Sequence, residues 1–313
     1  MLQFDVICVG NAKIDTFLTL HEANSHLRLL EGTNELCIKF GEKITVEKAE
    51  ILLGGNAANV SVGTSRLGLN TAIVAEIGKD EFAQKIINTL SKENVDTTNV
   101  QQTEGQQSSF STILNYKGER TIFSEHVKRT HDFNFENIST KWVYLTSLGE
   151  EWKNAYQKTV DFVKKTGCSL AFNPGTLQIE NGKDGLQNVL LITNLLFVNK
   201  EEAEELLSYP HGEKSIEDLI INLQKIGPKI VVITDGKNGS LAIDDKGNIL
   251  KKDIIETDVV EKTGAGDAYS SGFLSALINN KEIAEAMTWG ATNSTSVIGK
   301  IGATAGLLHK TDL

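Results

Sequence analysis

The chain has 313 residues, about twice the usual domain size of roughly 150, so it can bury a large core without disulfides or structural metal. Its 31 lysines and arginines against 41 aspartates and glutamates give a net charge of −10, a sign that repels nucleic-acid phosphates and anionic lipid. These figures argue against nucleic-acid and membrane-surface roles.

The cysteines and the N-terminus point to the cytoplasm. Cys8, Cys37 and Cys168 lie far apart and in no metal-binding spacing, which favours a reducing compartment. The N-terminal stretch carries Asp5 where a secretory signal would need basic residues. The most apolar later stretch, residues 189–198, is too short to cross a bilayer. We therefore expect a soluble cytoplasmic protein with neither nucleic-acid nor membrane partners.

Short β-branched runs alternate with helical periodicity along most of the chain. This alternation predicts an α/β fold with a mostly parallel central sheet that is covered by helices on both faces. The predicted strands are Phe4–Val9, Thr71–Ile77, Trp142–Thr146, Leu170–Phe172, Leu196–Val198 and Ile230–Thr234.

Two segments, 11–50 and 105–125, interrupt this pattern with short alternating runs and no convincing helix. We interpret them as extra antiparallel strands that stand off the main sheet and form one small discontinuous β lid. The runs are Thr16–Leu20, Leu36–Phe40, Phe110–Asn115 and Arg120–Phe123. Because no linker-like stretch occurs, residues 1–313 are predicted to form a single domain that carries this lid.

A glycine-rich turn late in the chain carries the strongest chemical signal. Residues 262–267 read Lys-Thr-Gly-Ala-Gly-Asp and lead into a helical pattern. Gly264, Ala265 and Gly266 can point successive N–H groups outward at a helix start, where the helix dipole adds positive potential, so they predict an anion hole. A carboxylate beside a phosphate is repelled unless it accepts a proton from the attacking hydroxyl, which is the role predicted for Asp267. The alternative is a plain helix N-cap.

A second glycine pair, Gly54 and Gly55, opens another predicted helix much earlier in the chain. Asn59 lies one turn into that helix and can offer both a donor and an acceptor to a ligand with vicinal hydroxyls. Alone, such a pair also fits close packing of a helix, so its meaning depends on the other motifs.

The two turns, in this order and in a chain of this length, resemble the ribokinase-like (PfkB) carbohydrate kinase family. Three further elements match the family: a first-strand aspartate (Asp15), an Asn-x-x-Glu motif (Asn199 and Glu202) and a Thr-x-Gly-x-x-Gly turn (Thr234, Gly236 and Gly239). Each has a structural alternative, which is respectively a turn residue, a helix capping box and a hairpin turn.

The resemblance implies a ribokinase-like three-layer fold and ATP-dependent phosphorylation of a primary hydroxyl of a sugar or nucleoside. The residues implied to bind the acceptor substrate are Asp15, Gly54, Gly55 and Asn59. Those implied to bind ATP are Asn199, Thr234, Gly236 and Gly239. Glu202 is implied to hold Mg²⁺ through water, while Asp267, with the N–H groups of Gly264, Ala265 and Gly266, carries the catalysis.

The sequence departs from the family at the segments that form its monovalent-cation site. Glu261 stands where family members often carry aspartate, and Gly306 stands where a serine is frequent. These two changes argue against activation by K⁺.

Other functions stay open on the sequence alone. One is a phosphosugar kinase of the fructose 6-phosphate type, with Lys13, Arg120 or Arg129 gripping the phosphate. Another is a catalytically silent sugar-binding protein on the same fold. A nicotinamide-dependent dehydrogenase is disfavoured, because no glycine fingerprint follows the first strand.

Two further interpretations concern surfaces. The exposed edges and apolar face of the lid predict a homodimer. The group His126, Lys128, Arg129 and His131, just after the second lid segment, is interpreted as a solvated loop, with contact to a charged part of a substrate as the alternative.

Overall fold

The computed structural model describes residues 2–21, 25–30, 32–33, 35–117, 119–125 and 127–313. Its strands are β1 (Leu2–Val9), β2 (Lys13–Leu20), β3 (Leu27–Leu30), β4 (Glu35–Ile38), β5 (Val46–Gly54), β6 (Thr71–Gly78), β7 (Val100–Thr103), β8 (Phe110–Tyr116), β9 (Glu119–Ser124), β10 (Ile138–Thr146), β11 (Ser169–Asn173), β12 (Leu195–Asn199), β13 (Ile230–Thr234), β14 (Ser240–Ile243) and β15 (Ile249–Lys252).

Its α-helices are α1 (Asn56–Arg66), α2 (Glu81–Lys92), α3 (Trp152–Thr166), α4 (Thr176–Ile179), α5 (Gly182–Gly185), α6 (Gln187–Leu190), α7 (Lys200–Leu206), α8 (Ile216–Lys225), α9 (Ala265–Ile278) and α10 (Ile283–Ile298). None of these helices, in the ranges given, has the length and apolar character needed to cross a membrane. Cys8, Cys37 and Cys168 are all free thiols.

Nine strands form the main sheet, in the order β15-β14-β13-β12-β11-β10-β1-β6-β7. Neighbours from β13 to β7 pair in parallel, whereas β14 and β15 are added antiparallel at one edge. The predicted mostly parallel sheet is therefore confirmed, and its antiparallel edge begins at the hairpin turn that was the structural alternative for residues 234–239.

Helices cover both faces of this sheet, and alternate side chains of β1 show why. Ile7 and Val9 point into a core shared with α3, α7 and α8, while Val6 and Cys8 point into a second core shared with α1, α9 and α10. All four side chains are completely buried. A strand that is apolar on both sides requires a layer on each side, so the fold has three layers.

A separate four-stranded sheet is formed in the order β5-β2-β8-β9. Its outer pairs are antiparallel as predicted, but the central pair, β2 and β8, is parallel, so the prediction is wrong for that pair. This sheet contains three of the four predicted alternating runs, but β5 extends the first segment to Gly54 instead of residue 50. The fourth run, predicted at Leu36–Phe40, pairs as β4 with β3 in a two-stranded ribbon outside this sheet. One face carries Asp15, Ser111 and Arg120, whose register places them on the same side.

Candidate active site

The first glycine turn, residues 54–59, joins β5 to α1 and holds the Asp15 side chain against its backbone. Gly55 has φ +94°, and a Cβ there would lie 2.5 Å from the Asn11 carbonyl oxygen. A Cβ on Gly54 would lie 2.1 Å from Asp15 Oδ2. Only glycine allows both close approaches, so this turn fixes where the Asp15 carboxylate lies.

The second glycine turn, residues 262–267, begins α9. Gly264 is the N-cap with φ +82°, and a Cβ there would lie 2.4 Å from Ala303 Cβ. Asp267 lies inside the first turn of α9, so the alternative that it caps the helix is wrong. A Cβ on Gly266 would meet no atom within 4 Å, which leaves open space beside the helix start. Of the three predicted donors, the Ala265 N–H has a long bond of 3.3 Å to the Lys262 carbonyl.

The two turns meet through a buried hydrogen bond. Asn59 Nδ2 donates to Asp267 Oδ2 at 2.8 Å. Burial raises the pKa of Asp267 to about 7; donors on Asn59 and Asn56 lower it, and the charges of Asp15 and Glu202 raise it. Among the described residues, Asn59 Oδ1 is buried without a hydrogen-bonding partner. The Asn59 amide nitrogen therefore bonds to the carboxylate of Asp267, and its oxygen, Oδ1, is available to accept from another group.

Asp15 is the second buried carboxyl group of the site. Burial raises its pKa; the nearby Lys13 ammonium and the Ser111 hydroxyl lower it, and Glu261 raises it. Lys13 Nζ lies 4.0 Å from Asp15 Oδ1, an oxygen that has no hydrogen-bonding partner in the described ranges. An acceptor oxygen in this state is suited to a ligand hydroxyl.

Asn199 and Glu202 form a capping box at the start of α7. The Asn199 side chain accepts from the Glu202 N–H, and Glu202 Oε2 accepts from the Asn199 N–H, both at 2.8 Å. Burial, together with the neighbouring Glu205 and Glu201, raises the pKa of Glu202 to about 7 despite the Asn199 donor. The capping box, which was the structural alternative for these two residues, is thus present. It does not exclude that Glu202 also holds Mg²⁺ through water.

The same carboxylate suits a weakly held Mg²⁺. No group of three or more histidine, cysteine, aspartate or glutamate side chains in the described part of the chain lies close enough to hold a metal ion. Kinase Mg²⁺ needs no such cage, because one or two carboxylates, water and the substrate phosphates supply its ligands. A half-buried carboxylate whose charge is unfavourable would gain from a nearby cation, so Glu202 fits this kind of site.

Thr234 ends β13, and the chain returns through a hairpin to β14. Gly236 and Gly239 have φ +46° and +87°, and a Cβ on Gly239 would lie 2.2 Å from the Lys252 carbonyl oxygen. The predicted turn is therefore a hairpin turn, which was its structural alternative. Nothing lies within 4 Å of a Cβ built on Gly236, so its backbone is accessible to a ligand.

Glu261 lies directly beside the second glycine turn, and its surroundings were not predicted. Glu261 Oε1 accepts from the Thr263 N–H and hydroxyl, at 2.8 and 2.6 Å, and lies 3.7 Å from Arg120 Nε of β9. A serine at position 306 would not fit this backbone, because a Cβ on Gly306 would lie 2.2 Å from the Ser296 carbonyl oxygen.

The segment between β9 and β10 corrects the interpretation of a solvated loop. Arg129 and His131 are buried, whereas Lys128 is exposed and His126 lies outside the described residues. Glu76 of β6 is the physical reason, because its carboxylate accepts the His131 N–H at 2.7 Å and is close to the Arg129 charge. The one signal for burial in the sequence is Glu76, the single charged residue of β6.

Comparisons with known proteins bear on the family and the fold. The family model for pfkB family carbohydrate kinases matches residues 16–310. The ATP-dependent 6-phosphofructokinase of Thermoanaerobacterium thermosaccharolyticum is 22% identical over 314 residues, which cover 96% of this chain and 90% of that protein. The ribokinase of Haemophilus influenzae is 27% identical over 277 residues, which cover 85% and 87%.

A solved structure supports the fold independently. The nucleoside kinase of Methanocaldococcus jannaschii, an archaeal member of the ribokinase family, superposes with a TM-score of 0.78 at 22% identity, covering 100% of this chain and 96% of that one. The likeness establishes a ribokinase-like fold.

Proposed function

The chain belongs to the pfkB family of carbohydrate kinases, and from that premise we propose that it transfers the γ-phosphate of ATP to a primary hydroxyl of a neutral sugar or nucleoside. The observation that carries the proposal is the 2.8 Å hydrogen bond between Asn59 and Asp267. It brings the first glycine turn to the start of α9, so a proton acceptor and a set of backbone donors share one site.

Asp267 would accept the proton of the attacking hydroxyl. Its raised pKa of about 7 matches neutral pH, where a general base is most effective. The N–H groups of Gly264, Ala265 and Gly266, with the positive end of α9, would stabilise the charge that builds on the transferred group. When bound, Mg²⁺ neutralises phosphate charge, and Glu202 would hold it through water beside Asn199.

The acceptor would lie between the two turns. Asp15 Oδ1 and Asn59 Oδ1 are buried acceptors without partners in the described chain, so they suit the donors of adjacent hydroxyls. Gly54 and Gly55 would let the ligand approach the backbone closely. The remaining nucleotide contacts are assigned to Thr234, Gly236 and Gly239 at the hairpin turn.

We further propose that residues 1–313 work as one domain whose small sheet, from segments 11–50 and 105–125, is a lid. The face that carries Asp15 and Arg120 would cover the acceptor and exclude water. Exclusion matters because water in place of the acceptor would lead to ATP hydrolysis.

A neutral acceptor is favoured over a phosphosugar, although one relative is a 6-phosphofructokinase. The three cations considered as phosphate ligands already have partners. Lys13 donates to the Ser111 hydroxyl at 2.7 Å, Arg120 pairs with Glu261, and Arg129 donates to Gln106 and Gln107. A phosphate would have to share these cations with the partners that they already have.

The second face of the small sheet would pair with a second copy of the chain. Ile51, Phe110 and Phe123 share this face by register, and they are 45%, 38% and 58% exposed. Apolar side chains on an open sheet face are a usual interface between subunits. A homodimer through this face is therefore part of the proposal.

The decisive experiment is the Asp267→Asn variant. The change is isosteric and removes only the proton acceptor, so kcat should fall at least ~10²-fold while the KM values for ATP and acceptor stay near wild type. Steady-state kinetics with MgATP and D-fructose, D-ribose or adenosine would measure this. A variant that keeps more than about a tenth of the wild-type kcat would refute the assignment of the base, since general-base catalysis contributes ~10²–10⁴-fold.

A further inference from the structure

A small cavity lies beside the chain segment that leads to Asp15. Its walls include Lys13 at the start of β2, Gly149 after β10, and Arg129 and His131 from the segment between β9 and β10. Its volume is about 10 Å³, which is room for one water-sized group. None of the roles proposed above uses this cavity.

The imidazole of His131 is the unusual part of the cavity wall. The residue is 3% exposed, and neither Nδ1 nor Nε2 has a hydrogen-bonding partner in the part of the chain that the structure describes. A buried polar group without a partner is costly, so such groups in native proteins usually have a ligand or water to bind.

The ring is neutral near pH 7. Burial lowers the pKa of His131, and the Arg129 charge lowers it further, whereas Glu76 and Glu151 raise it. A neutral imidazole offers one donor and one acceptor. A hydroxyl group can bond to either nitrogen, since it can accept from the protonated one or donate to the other.

The backbone of His131 is held in an uncommon conformation. Its φ is +48°, in the left-handed region that residues other than glycine, asparagine, aspartate and histidine seldom adopt. The N–H is fixed by Glu76 Oε2 at 2.7 Å, and the carbonyl oxygen accepts from the Phe133 N–H at 2.9 Å. Backbone strain of this kind is found where a ligand-binding group must be aimed.

The two cations of the cavity wall, Lys13 and Arg129, already have partners within the chain. Lys13 contacts Ser111 and Asp15, and both amino groups of Arg129 donate to glutamine oxygens. Glu76 Oε2 lies 3.8 Å from His131 Nδ1, so an anion bonded to that nitrogen would be repelled. A neutral oxygen suffers no such repulsion.

We infer that this cavity is a subsite for one neutral oxygen of the acceptor, a hydroxyl or a carbonyl, and that His131 hydrogen-bonds to it. The inference rests on the proposed kinase function and deepens it by defining the end of the acceptor that lies away from Asp267. Lys13 links the two places, because it borders the cavity and lies 4.0 Å from Asp15 Oδ1. His131 would thus be a specificity-determining residue.

Two variants test the subsite from opposite walls. His131→Asn keeps a side chain that tolerates the left-handed backbone but removes the ring. Gly149→Ala adds a methyl group 3.7 Å from His131 Nε2, an ordinary contact distance, and so reduces the volume without disturbing the ring. His309→Asn, the same chemical change at an exposed residue, is the matched control.

The assay compares the full-length proteins with MgATP and four acceptors: D-fructose, D-ribose, adenosine and fructose 6-phosphate. For the best neutral acceptor of the wild type, both variants should raise the acceptor KM about 10- to 100-fold and leave the KM for ATP unchanged. With the wild type, one monodeoxy derivative of that acceptor should react more poorly than the parent acceptor. With His131→Asn, the derivative and the parent should react equally well, because the substitution and the missing hydroxyl remove the same contact.

The possible results separate the inference from the function on which it rests. Unchanged acceptor KM values in both variants would overturn the subsite and leave the kinase intact. Reaction of fructose 6-phosphate alone, with a salt dependence that His131→Asn changes, would show an anion subsite and overturn the neutral one. If the wild type phosphorylates none of the four acceptors, the proposed function fails and the inference fails with it.

Discussion

As the proposed general base, Asp267 is subject to two opposing requirements. A general base has to be ionised near neutral pH, yet burial at the start of α9 penalises its charge and raises its pKa to about 7. Asn59 offsets part of the penalty, because its amide donates to the carboxylate oxygen at 2.8 Å. The raised pKa brings the ionisation of this carboxyl group towards neutral pH, where a proton acceptor is most effective.

This balance predicts that Asp267→Asn stabilises the protein at alkaline pH. The pKa of this aspartate is about 7 in the folded protein, against an ordinary value of 3.8. The folded state therefore binds the proton more tightly than the unfolded state does. The contribution of Asp267 to stability falls as the pH rises from 3.8 to about 7. Asparagine has no charge to penalise. The variant should melt higher than wild type at pH 8, by a margin that shrinks at pH 5. Equal margins at the two pH values would contradict the raised pKa.

Glu202 allows capping and metal binding to be tested separately. Glutamine can still accept the Asn199 N–H, so Glu202→Gln should keep the capping box and the melting temperature. If the carboxylate holds Mg²⁺ through water, the variant should need more Mg²⁺ for half-maximal rate, because the negative charge is gone. Glu217→Gln, the same change at an exposed residue of α8, is the control. A Mg²⁺ titration identical to wild type would leave Glu202 with capping alone.

Single residues differ in how much of their conformation and contacts could be predicted from the sequence. Gly55 and Gly264 are in positions that need positive φ, a local requirement that a sequence can show directly. The partner of Asn59 was not predictable, because Asp267 is 208 positions away and the same amide fits a ligand equally well. His131 was misinterpreted for a related reason, since its burial depends on Glu76 of a distant strand.

At the scale of elements, β9 is tied to the second glycine turn by two ion pairs of opposite polarity. Arg120 lies 3.7 Å from buried Glu261, and the preceding residue, Glu119, accepts from Lys262 at 2.6 Å. The first pair reaches a carboxylate that is 2% exposed, whereas both side chains of the second pair are mostly in solvent. β9 and the second glycine turn therefore have one protected and one exposed connection.

The two connections should contribute unequally to stability. Arg120→Gln leaves the Glu261 carboxylate without its cation and should cost about 1–3 kcal/mol, the range for a buried polar group deprived of its partner. Lys262→Ala removes only a solvent-screened pair and should cost about 0–1 kcal/mol. Urea unfolding of the two variants against wild type measures the difference. Equal unfolding midpoints for the two variants would show that the Arg120 contact contributes no more than the exposed pair.

Strands were easier to predict from the sequence than their pairing. The apolar runs at β1, β6 and β13 predicted strands because a buried strand needs little more than its own composition. The partner of β4 is β3, and β14 turns back antiparallel to β13, neither of which follows from local pattern. Pairing depends on which strand edge of a sheet is still unpaired when another strand reaches it. The composition of a strand does not determine this.

For the whole molecule, the proposed dimer makes a direct prediction. Phe123 is 58% exposed on the outer face of the small sheet, beside Ile51 and Phe110. Phe123→Ser should weaken self-association and lower the sedimentation coefficient at micromolar concentration, because it removes apolar area from the interface. Ile249→Ser, at a comparably exposed apolar residue on the edge strand β15, is the control. A wild type that sediments as a monomer at all concentrations would rule out this interface.

Asn59 and Asp267 are 208 positions apart, and this separation determines when the site can exist during synthesis. A ribosome adds about 5–20 residues per second, so Asn59 is made roughly 10–40 s before its partner. Throughout that interval α1 has no α9 to pack against, although Gly63 is fitted so closely to Ser271 that a Cβ would lie 2.3 Å from its hydroxyl. The face of α1 that the finished protein buries is therefore open on the nascent chain, and that interval is when a chaperone would find it accessible.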